Sequence, residues 1–546
     1  MADSARTGRP IETRLRARGW LRLRTPLHVG GANHDPNADL DIAVDGRGRA
    51  YVPGTSLAGA FRSWSEGSSE DGAELRDLWG YVEENGPGGT ASRVVIRDAL
   101  VTADTALSAD ELPASPIDLG RLEVRTGVGI DRVTGAAAPG ILYGRIVIPA
   151  GAFLRLELDV ESSRQELTAD RARLGELLSA LTEEKIRLGA ATTRGLGMVG
   201  LMPDSLLIEE DHLDSKAGLL ALLTQDGSRT RTLASLRGTA PAGLPPRRDL
   251  LVAEISWRPA TPVMVRSAVD GIAVPVIPLT TAVDADQVTM VLPGSGIKGA
   301  LRSRADWIER SVRGLDPAPP QGDDVPAVAA AFRAQLDQLP AVSALFGAAP
   351  KARPRRAGSE PDADGRGKGA VTVDDCFAMT PIAAELWRAV YEPPDVAQGG
   401  DGGRGAFSAE LRDQLEESGL TQADHVAIDR WTAGAADGRL YSVLEPHAVD
   451  WDPIRITIDL TRLDRAPGVT ADAGLALMLL VLRDLAENRI YLGYGTNRGM
   501  GDIEVVQVRL AGTGRTDGPD LASLLASDEA ERLTAQWLSY VDGSGQ

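Results

Sequence analysis

Apolar and charged side chains alternate at the start of each half of this chain. Leu21 and Leu23 set against Arg22 and Arg24 predict a half-buried strand over 19–29, and LLVAEISWR at 250–258 predicts its counterpart. The period then lengthens. Leu57, Ala60, Phe61 and Trp64 recur at helical spacing, as do Ile297, Ala300, Leu301, Ala305 and Ile308, so each half continues into a helix with one apolar face. Thr55 and Ser295 stand where such helices take their N-caps. Alternation returns at 93–97, 144–149, 153–160, 371–373 and 454–460. Second helices are predicted at about 168–187 and 471–486. The latter, ADAGLALMLLVLRDLA, is apolar nearly all round, so it should be buried. Strands at 197–202 and 502–510 close the halves. Each half reads β-α-β…β-α-β, an α+β chain of two tandem ferredoxin-like domains with insertions.

Three phrases recur in the same order and establish an internal duplication. PGTSLAGAFRSW at 53–64 answers PGSGIKGALRSR at 293–304. Ile130-Asp131-Arg132-Val133-Thr134 answers Ile428-Asp429-Arg430-Trp431-Thr432. The Gly-rich stretch Leu188–Gly197 answers Leu492–Gly501. Upstream, Thr25-Pro26-Leu27-His28-Val29 matches Thr261-Pro262-Val263-Met264-Val265. The last interval is nearly conserved between the halves, whereas the middle interval of the second is swollen by an insertion at about 315–422. The expected domains are 1–212 and 250–512, with a connector at 213–249 and a helical, peripheral tail at 513–546. The insertion carries loop-like runs at 317–324, 349–369 and 398–405, with short helices around 326–336 and 408–418.

Composition narrows the class without fixing the function. Cys376 is the only cysteine, so no intrachain disulfide forms. No apolar run approaches a membrane span and the first residues carry no signal-like apolar core, so a cytoplasmic protein with no membrane partner is expected. The formal net charge is −19, which argues against a nucleic-acid partner over the whole surface but not within a groove. Basic clusters at Arg14, Arg16, Arg18, Arg22 and Arg24, and at Lys351, Arg353, Arg355 and Arg356, read equally well as solvated surface.

Several familiar motifs fail on context. Gly195-x-Gly197-x-x-Gly200 matches a dinucleotide fingerprint but does not open a helix after a strand. Gly294-Ser295-Gly296-Ile297-Lys298 lacks phosphate-loop spacing, leaving only glycines and N–H groups at a helix start as a seat for one phosphate. The acidic run Asp35, Asn37, Asp39, Asp41, Asp45 lacks the glycine and terminal glutamate of a calcium loop. Its alternatives are an acidic surface loop or a carboxylate that works beside a phosphodiester. The five histidines are too scattered for zinc, although His28 and His34 are placed for acid–base chemistry.

The Pro-Gly-(Ser/Thr)-x-(Leu/Ile)-x-Gly-Ala-(Leu/Phe)-Arg phrase resembles the signature of the RAMP superfamily of CRISPR-associated proteins. So do the Ile-Asp-Arg-x-Thr phrase, the closing Gly-rich Arg loop, and Leu78-Trp79-Gly80 with Leu345-Phe346-Gly347. The order of these elements resembles the backbone subunit of type III effector complexes, here as a tandem fusion. The resemblance implies an RNA-recognition-type core that stacks along CRISPR RNA, a thumb-like hairpin around Asp131 that parts bases of the guide–target duplex, and other effector subunits as partners. It implies RNA contacts at Arg62, Asp131, Arg132 and Arg194 in the first copy and at Lys298, Arg302, Arg430 and Arg498 in the second. Ala58 replaces the lysine expected in the first copy. Solvated or fold-stabilising side chains are the alternative at each arginine.

The family's target-RNA cleavage implies an aspartate before the Pro-Gly phrase together with a divalent metal, magnesium. Asp39 fits the pattern, with Asp41 as alternate where proline is usual. The second copy has Val276 at that register and a poorly aligned Asp270, so it is expected to bind without cutting. The rivals are a non-catalytic RNA scaffold, a metal-independent guide-processing ribonuclease using His28 or His34, and a duplicated ferredoxin-like protein for small ligands.

Overall fold

The computed structural model describes residues 11–31, 38–69, 72–83, 88–237, 243–284, 286–317, 319, 324–348, 367–392, 407–512 and 520–543. His34, Asp35, Asn37 and the basic run from Lys351 to Arg356 lie outside them, as does most of the three loop-like runs of the insertion.

In the first copy, β1 (Thr13–Leu23) leads to α1 (Gly54–Ser65), then to β2 (Val94–Ile96) and β3 (Ala99–Thr102). A hairpin of β4 (Glu123–Ile130) and β5 (Ala137–Val147) follows. Next come β6 (Phe153–Ser162), α2 (Leu167–Thr182), a two-residue β7 (Arg194–Gly195), β8 (Val199–Leu201) and β9 (Leu207–His212). β1 lies between β6 on one side and β8 and β9 on the other, and β2 and β3 flank β6, all antiparallel. That is the ferredoxin-like strand order, with the hairpin inserted between the second and third strands.

The second copy repeats it. β10 (Leu250–Pro259), α3 (Gly294–Arg313) and α4 (Val325–Asp337, within the insertion) precede β11 (Val371–Asp374). The hairpin of β12 (Leu420–Ile428) and β13 (Ala435–Pro446), then β14 (Ile454–Asp459), α5 (Ala471–Ala486), β15 (Ile503–Gly512) and finally α6 (Asp528–Gly543) complete it. The sheet order is β11-β14-β10-β15. The short helices expected in the insertion are present, at Val325–Asp337 and Ala409–Glu417.

Alternation sets the faces. In β1 the odd positions Leu15, Ala17, Leu21 and Leu23 are buried under α1 and α2 with Phe61, Leu174 and Leu178. Each of these leucines contributes about 1.5–3 kcal/mol on burial. The strand is displaced toward the N-terminus relative to the 19–29 expectation because the alternation begins at Thr13. Its even positions face away from the helices and spend their charge across the sheet: Arg16 lies 3.5 Å from Asp159 and 3.7 Å from Asp211, and Arg14 lies 3.7 Å from Glu161. Arg24 pairs with Glu184 at 2.6 Å. Arg14, Arg16 and Arg24 of the first basic cluster are therefore paired with acidic neighbours, each pair adding little stability.

Two expectations about the edges are corrected. The tail is helical but not peripheral: Trp537 and Leu533 of α6 are buried in the second core, and Tyr540 donates to Glu309 at 2.5 Å. This covers the outer side of α5, which is why that helix is apolar nearly all round. Part of the connector belongs to the first copy, since Leu236 packs in its core and Thr230–Arg231 pair with β9. The two copies also share a sheet: β7 of the first adds in parallel to β11 of the second, Arg194 opposite Val373 and Gly195 opposite Asp374.

Candidate functional site at the hairpin bases

The Gly-rich loops have one geometry in both copies. Leu188 N donates to Gly197 O at 2.8 Å and Leu492 N to Gly501 O at 2.9 Å; Ala190 N donates to His28 O at 2.9 Å and Tyr494 N to Met264 O at 2.7 Å. Glycine is required at Gly189 and Gly493: φ is +74° and +89°, and a Cβ on either would come within 2.2 Å of the His28 or Met264 carbonyl oxygen. Each loop thus seats the Thr-Pro segment of its own copy and presents one exposed arginine. Arg194 Nη1 donates to the Tyr143 hydroxyl at 3.1 Å, and Arg498 Nη1 to the Tyr441 hydroxyl at 3.1 Å. Both tyrosines sit on the return strand of the hairpin, so the loop arginine and the hairpin base form one surface in each copy.

The Pro-Gly phrases serve the fold more than a ligand. A Cβ on Gly54 would meet Ile96 O at 2.4 Å, and on Gly294 Val373 O at 2.3 Å, so only glycine lets helix and strand approach. Neither Thr55 nor Ser295 caps its helix. The first N–H groups are taken by carboxylates instead: Gly54 N donates to Asp98 at 2.7 Å and Gly294 N to Asp375 at 2.7 Å. The first N–H of the seat expected for a phosphate is therefore already taken by a carboxyl group. Arg62 and Arg302, expected as RNA contacts, reach back to the Leu-aromatic-Gly turns, Arg62 Nη1 to Gly80 O at 3.4 Å and Arg302 Nη1 to Gly347 O at 3.0 Å. Arg62 also donates to Glu66 at 2.8 Å. Lys298 is buried, and its ammonium donates to Val371 O at 2.6 Å. Burial, with Arg194 and Arg302 nearby, pulls its pKa down to about 7.

At the hairpin tips the two aspartates hold the turn. Asp131 accepts from Val133 N at 2.8 Å and Thr134 N at 2.9 Å; Asp429 accepts from Trp431 N and Thr432 N, both at 2.8 Å. This Asx turn gives Asp131, expected as an RNA contact, a local structural task. The arginines differ. Arg132 Nε donates to Asp306 of α3 at 2.6 Å, and its backbone N–H donates to Gln335 of α4 at 3.2 Å. The first tip is thus clamped to the second copy, and a Cβ on Gly129 would come within 2.8 Å of the Phe332 ring. Arg430 is exposed, and its neighbour Trp431 is 96% exposed.

The acidic loop lies against the base of the first hairpin. Gly144 N donates to Asp39 Oδ2 at 2.8 Å, Asp39 N donates to Gly144 O at 3.0 Å, and Leu40 bridges Arg145 in parallel. Asp39 is exposed and Asp41 half-buried. Asp45 folds its own turn, accepting from Arg47 N and Arg49 N at 2.9 Å each. These bonds, chiefly from Arg49, hold its carboxyl down near 2. His28 is buried with Nδ1 2.7 Å from Ile146 O. A carbonyl only accepts, so Nδ1 carries the proton and Nε2 is the acceptor of a neutral ring. Burial lowers its pKa; Arg145 adds to that and Asp41 opposes it. Arg145 itself, which no sequence motif marks, has a buried Nη1 without a hydrogen-bond partner.

The second copy keeps this backbone and replaces its chemistry. Val276 bridges Val443 in parallel, and Leu444 N donates to Val276 O at 2.9 Å as Ile146 N donates to Leu40 O at 2.9 Å. Val276 is therefore the counterpart of Leu40, one position off the sequence register, and Pro275 stands for Asp39. Ile277 stands for Asp41, Met264 for His28 and Val443 for Arg145. Met264, Val276, Val443 and Met500 form a small apolar cluster backed by Tyr441 and Tyr494. Asp270 is elsewhere, exposed and paired with Arg266 at 2.8 Å.

No group of three or more His, Cys, Asp or Glu side chains gathers as a metal cage among the described residues. A magnesium ion that one or two carboxylates share with phosphate oxygens and water needs no such cage. Asp39 is the exposed donor and Asp41 its neighbour. Among the described residues no helix is long and apolar enough to cross a membrane.

A family model described as the RAMP superfamily matches residues 20–199 and 259–504, one stretch in each copy and most of the chain. Comparison with curated proteins finds no match.

Proposed function

The chain belongs to the RAMP superfamily, and from that membership we propose that it is a tandem RNA-binding backbone subunit of a type III CRISPR effector complex which cuts target RNA from its first copy alone. The observation that carries the reading is the contrast at the hairpin bases. Asp39, Asp41, His28 and Arg145 surround one hairpin base, and Pro275, Ile277, Met264 and Val443 surround the other.

RNA would run along the surface that each Gly-rich loop shares with its hairpin, where Arg194 and Arg498 are exposed and oriented by tyrosine hydroxyls. An exposed guanidinium is suited to bidentate contact with a phosphate. The exposed Arg430 and Trp431 give the second hairpin a cation and a stacking surface for unpaired bases.

Cleavage would be in-line attack of a ribose 2′-hydroxyl on the adjacent phosphate. The 2′-oxygen–phosphorus bond forms as the phosphorus–5′-oxygen bond breaks. The 2′-hydroxyl proton passes to the Asp39 carboxylate, and the 5′-oxygen takes a proton from water. Gly144 N, donating to Asp39 Oδ2, orients that carboxylate. Bound magnesium, held by Asp39 with Asp41 beside it, would supply Lewis-acid stabilisation of the phosphoryl oxygens.

The test is incubation of the guide-loaded complex with complementary RNA, and with DNA of the same sequence, with magnesium or with chelator. The expected result is one magnesium-dependent cut per chain, in RNA only, leaving a 2′,3′-cyclic phosphate. Cutting that resists chelation, or two cuts per chain, contradicts the reading.

A further inference from the structure

We infer that Arg145 contacts the scissile phosphate and stabilises its charge during cleavage, an inference that rests on the reading of the first copy as the cutting one. Tyr143 and Arg145 alternate along β5 and so share a face of the hairpin. Arg194, bonded to the Tyr143 hydroxyl, places a second guanidinium beside them. Leu40 bridges Arg145, and the residue before Leu40 is Asp39, whose carboxylate accepts from Gly144, the residue before Arg145. The backbone therefore fixes Arg145 one residue from the N–H that holds the candidate carboxylate, with Tyr143 and Arg194 as the polar and charged neighbours of its guanidinium.

Its guanidinium has no task within the described fold. Arg145 makes no ion pair among the described residues, and its Nη1 is buried without a hydrogen-bond partner. A desolvated, unpaired cation is costly, and the neighbouring Arg194 makes it more so. An incoming phosphate relieves both costs by accepting from the orphaned donor and neutralising the charge.

The second copy shows that the hairpin does not need the arginine. Val443 occupies the same place in the same parallel bridge and packs with Met264, Val276 and Met500. A residue dispensable for the backbone, unpaired among the described residues, and replaced in the copy that lacks the aspartate is free to serve a ligand. Charge grows on the phosphoryl oxygens as the 2′-oxygen attacks, so a donor fixed there acts more strongly in the transition state than in the ground state.

The test uses the guide-loaded complex and an end-labelled complementary RNA under single-turnover conditions. It compares wild type, Asp39→Asn, Arg145→Ala and Arg145→Lys, with target-RNA affinity and complex assembly measured in parallel. We expect Arg145→Ala to cut about 100-fold more slowly at the first copy's position, to bind and assemble as wild type does, and to recover in part on adding guanidinium. Arg145→Lys should fall between the two. If Asp39→Asn is inactive while both Arg145 variants cut at the wild-type rate, the inference is overturned and the reading of the site stands. If Arg145→Ala is slow only because assembly fails, and Arg145→Lys assembles and cuts at the wild-type rate, the inference is likewise overturned. If Asp39→Asn cuts like wild type, the reading of the site fails and takes the inference with it.

Discussion

Leu40 forms a parallel bridge with Arg145, and its counterpart Val276 forms the same bridge with Val443. This pair of bridges fixes the register between the halves more firmly than the loop sequences do. It puts Pro275 at the place of Asp39 and leaves Asp270 off that register, exposed and paired with Arg266. Asp270→Asn should therefore leave the cleavage pattern of the assembled complex unchanged, read as product bands on a sequencing gel. Loss of any band in that variant would restore a cutting role to the second copy.

The clamp between the copies is a buried charge pair. Asp306 has a side chain 2% exposed and Arg132 one 13% exposed. Removing the arginine strands the carboxylate, so Arg132→Ala should cost about 3 kcal/mol. Arg430→Ala, at the equivalent but exposed tip, should change stability by less than about 0.5 kcal/mol. Urea unfolding of the two variants measures the contrast.

Lys298 gives the fold a pH signature. Its folded pKa, near 7, lies below the unfolded value of about 10.4. Between these values the unfolded chain binds the proton and the folded chain does not, so the cost of the buried ammonium is present in full below about pH 7 and is relieved as pH rises toward 10. Lys298→Met should remove that part of the rise in stability between pH 7 and 10. An unchanged pH profile in the variant would mean that the ammonium is not desolvated.

RNA affinity should draw on the loop arginines and not on the helix arginines. Replacing Arg194 or Arg498 by alanine should reduce the slope of log affinity against log salt by about 1 each. Replacing Arg62, which is engaged with Glu66 and the Gly80 carbonyl, should leave the slope unchanged. Filter binding across a salt series distinguishes these outcomes.

The duplication, the βαββαβ order and most element positions are legible in the sequence because hydrophobic period and glycine placement are local signals. Partner choice is not local. Arg62 and Arg302 sit in a family-like phrase, yet their guanidinium groups go to carbonyls of Gly80 and Gly347, far along the chain. Lys298 sits in the same phrase, and nothing local shows that its ammonium donates to Val371 O of β11. Arg145 is a lone arginine in its hairpin strand, and nothing local marks that Val443 holds its place in the second copy. The loops before the two Pro-Gly phrases differ in length, so spacing from those phrases places Val276 one residue away from its structural register. The tail helix reads as peripheral because its apolar positions are few, but Trp537 carries it into the second core.

The central claim is that the first copy alone cuts, through Asp39. The most direct measurement is a cleavage map of labelled target RNA by the guide-loaded complex carrying Asp39→Asn, beside wild type, with binding confirmed for both. The expected result is bound, uncut RNA in the variant. Cleavage by the variant at the wild-type positions and rate would contradict it.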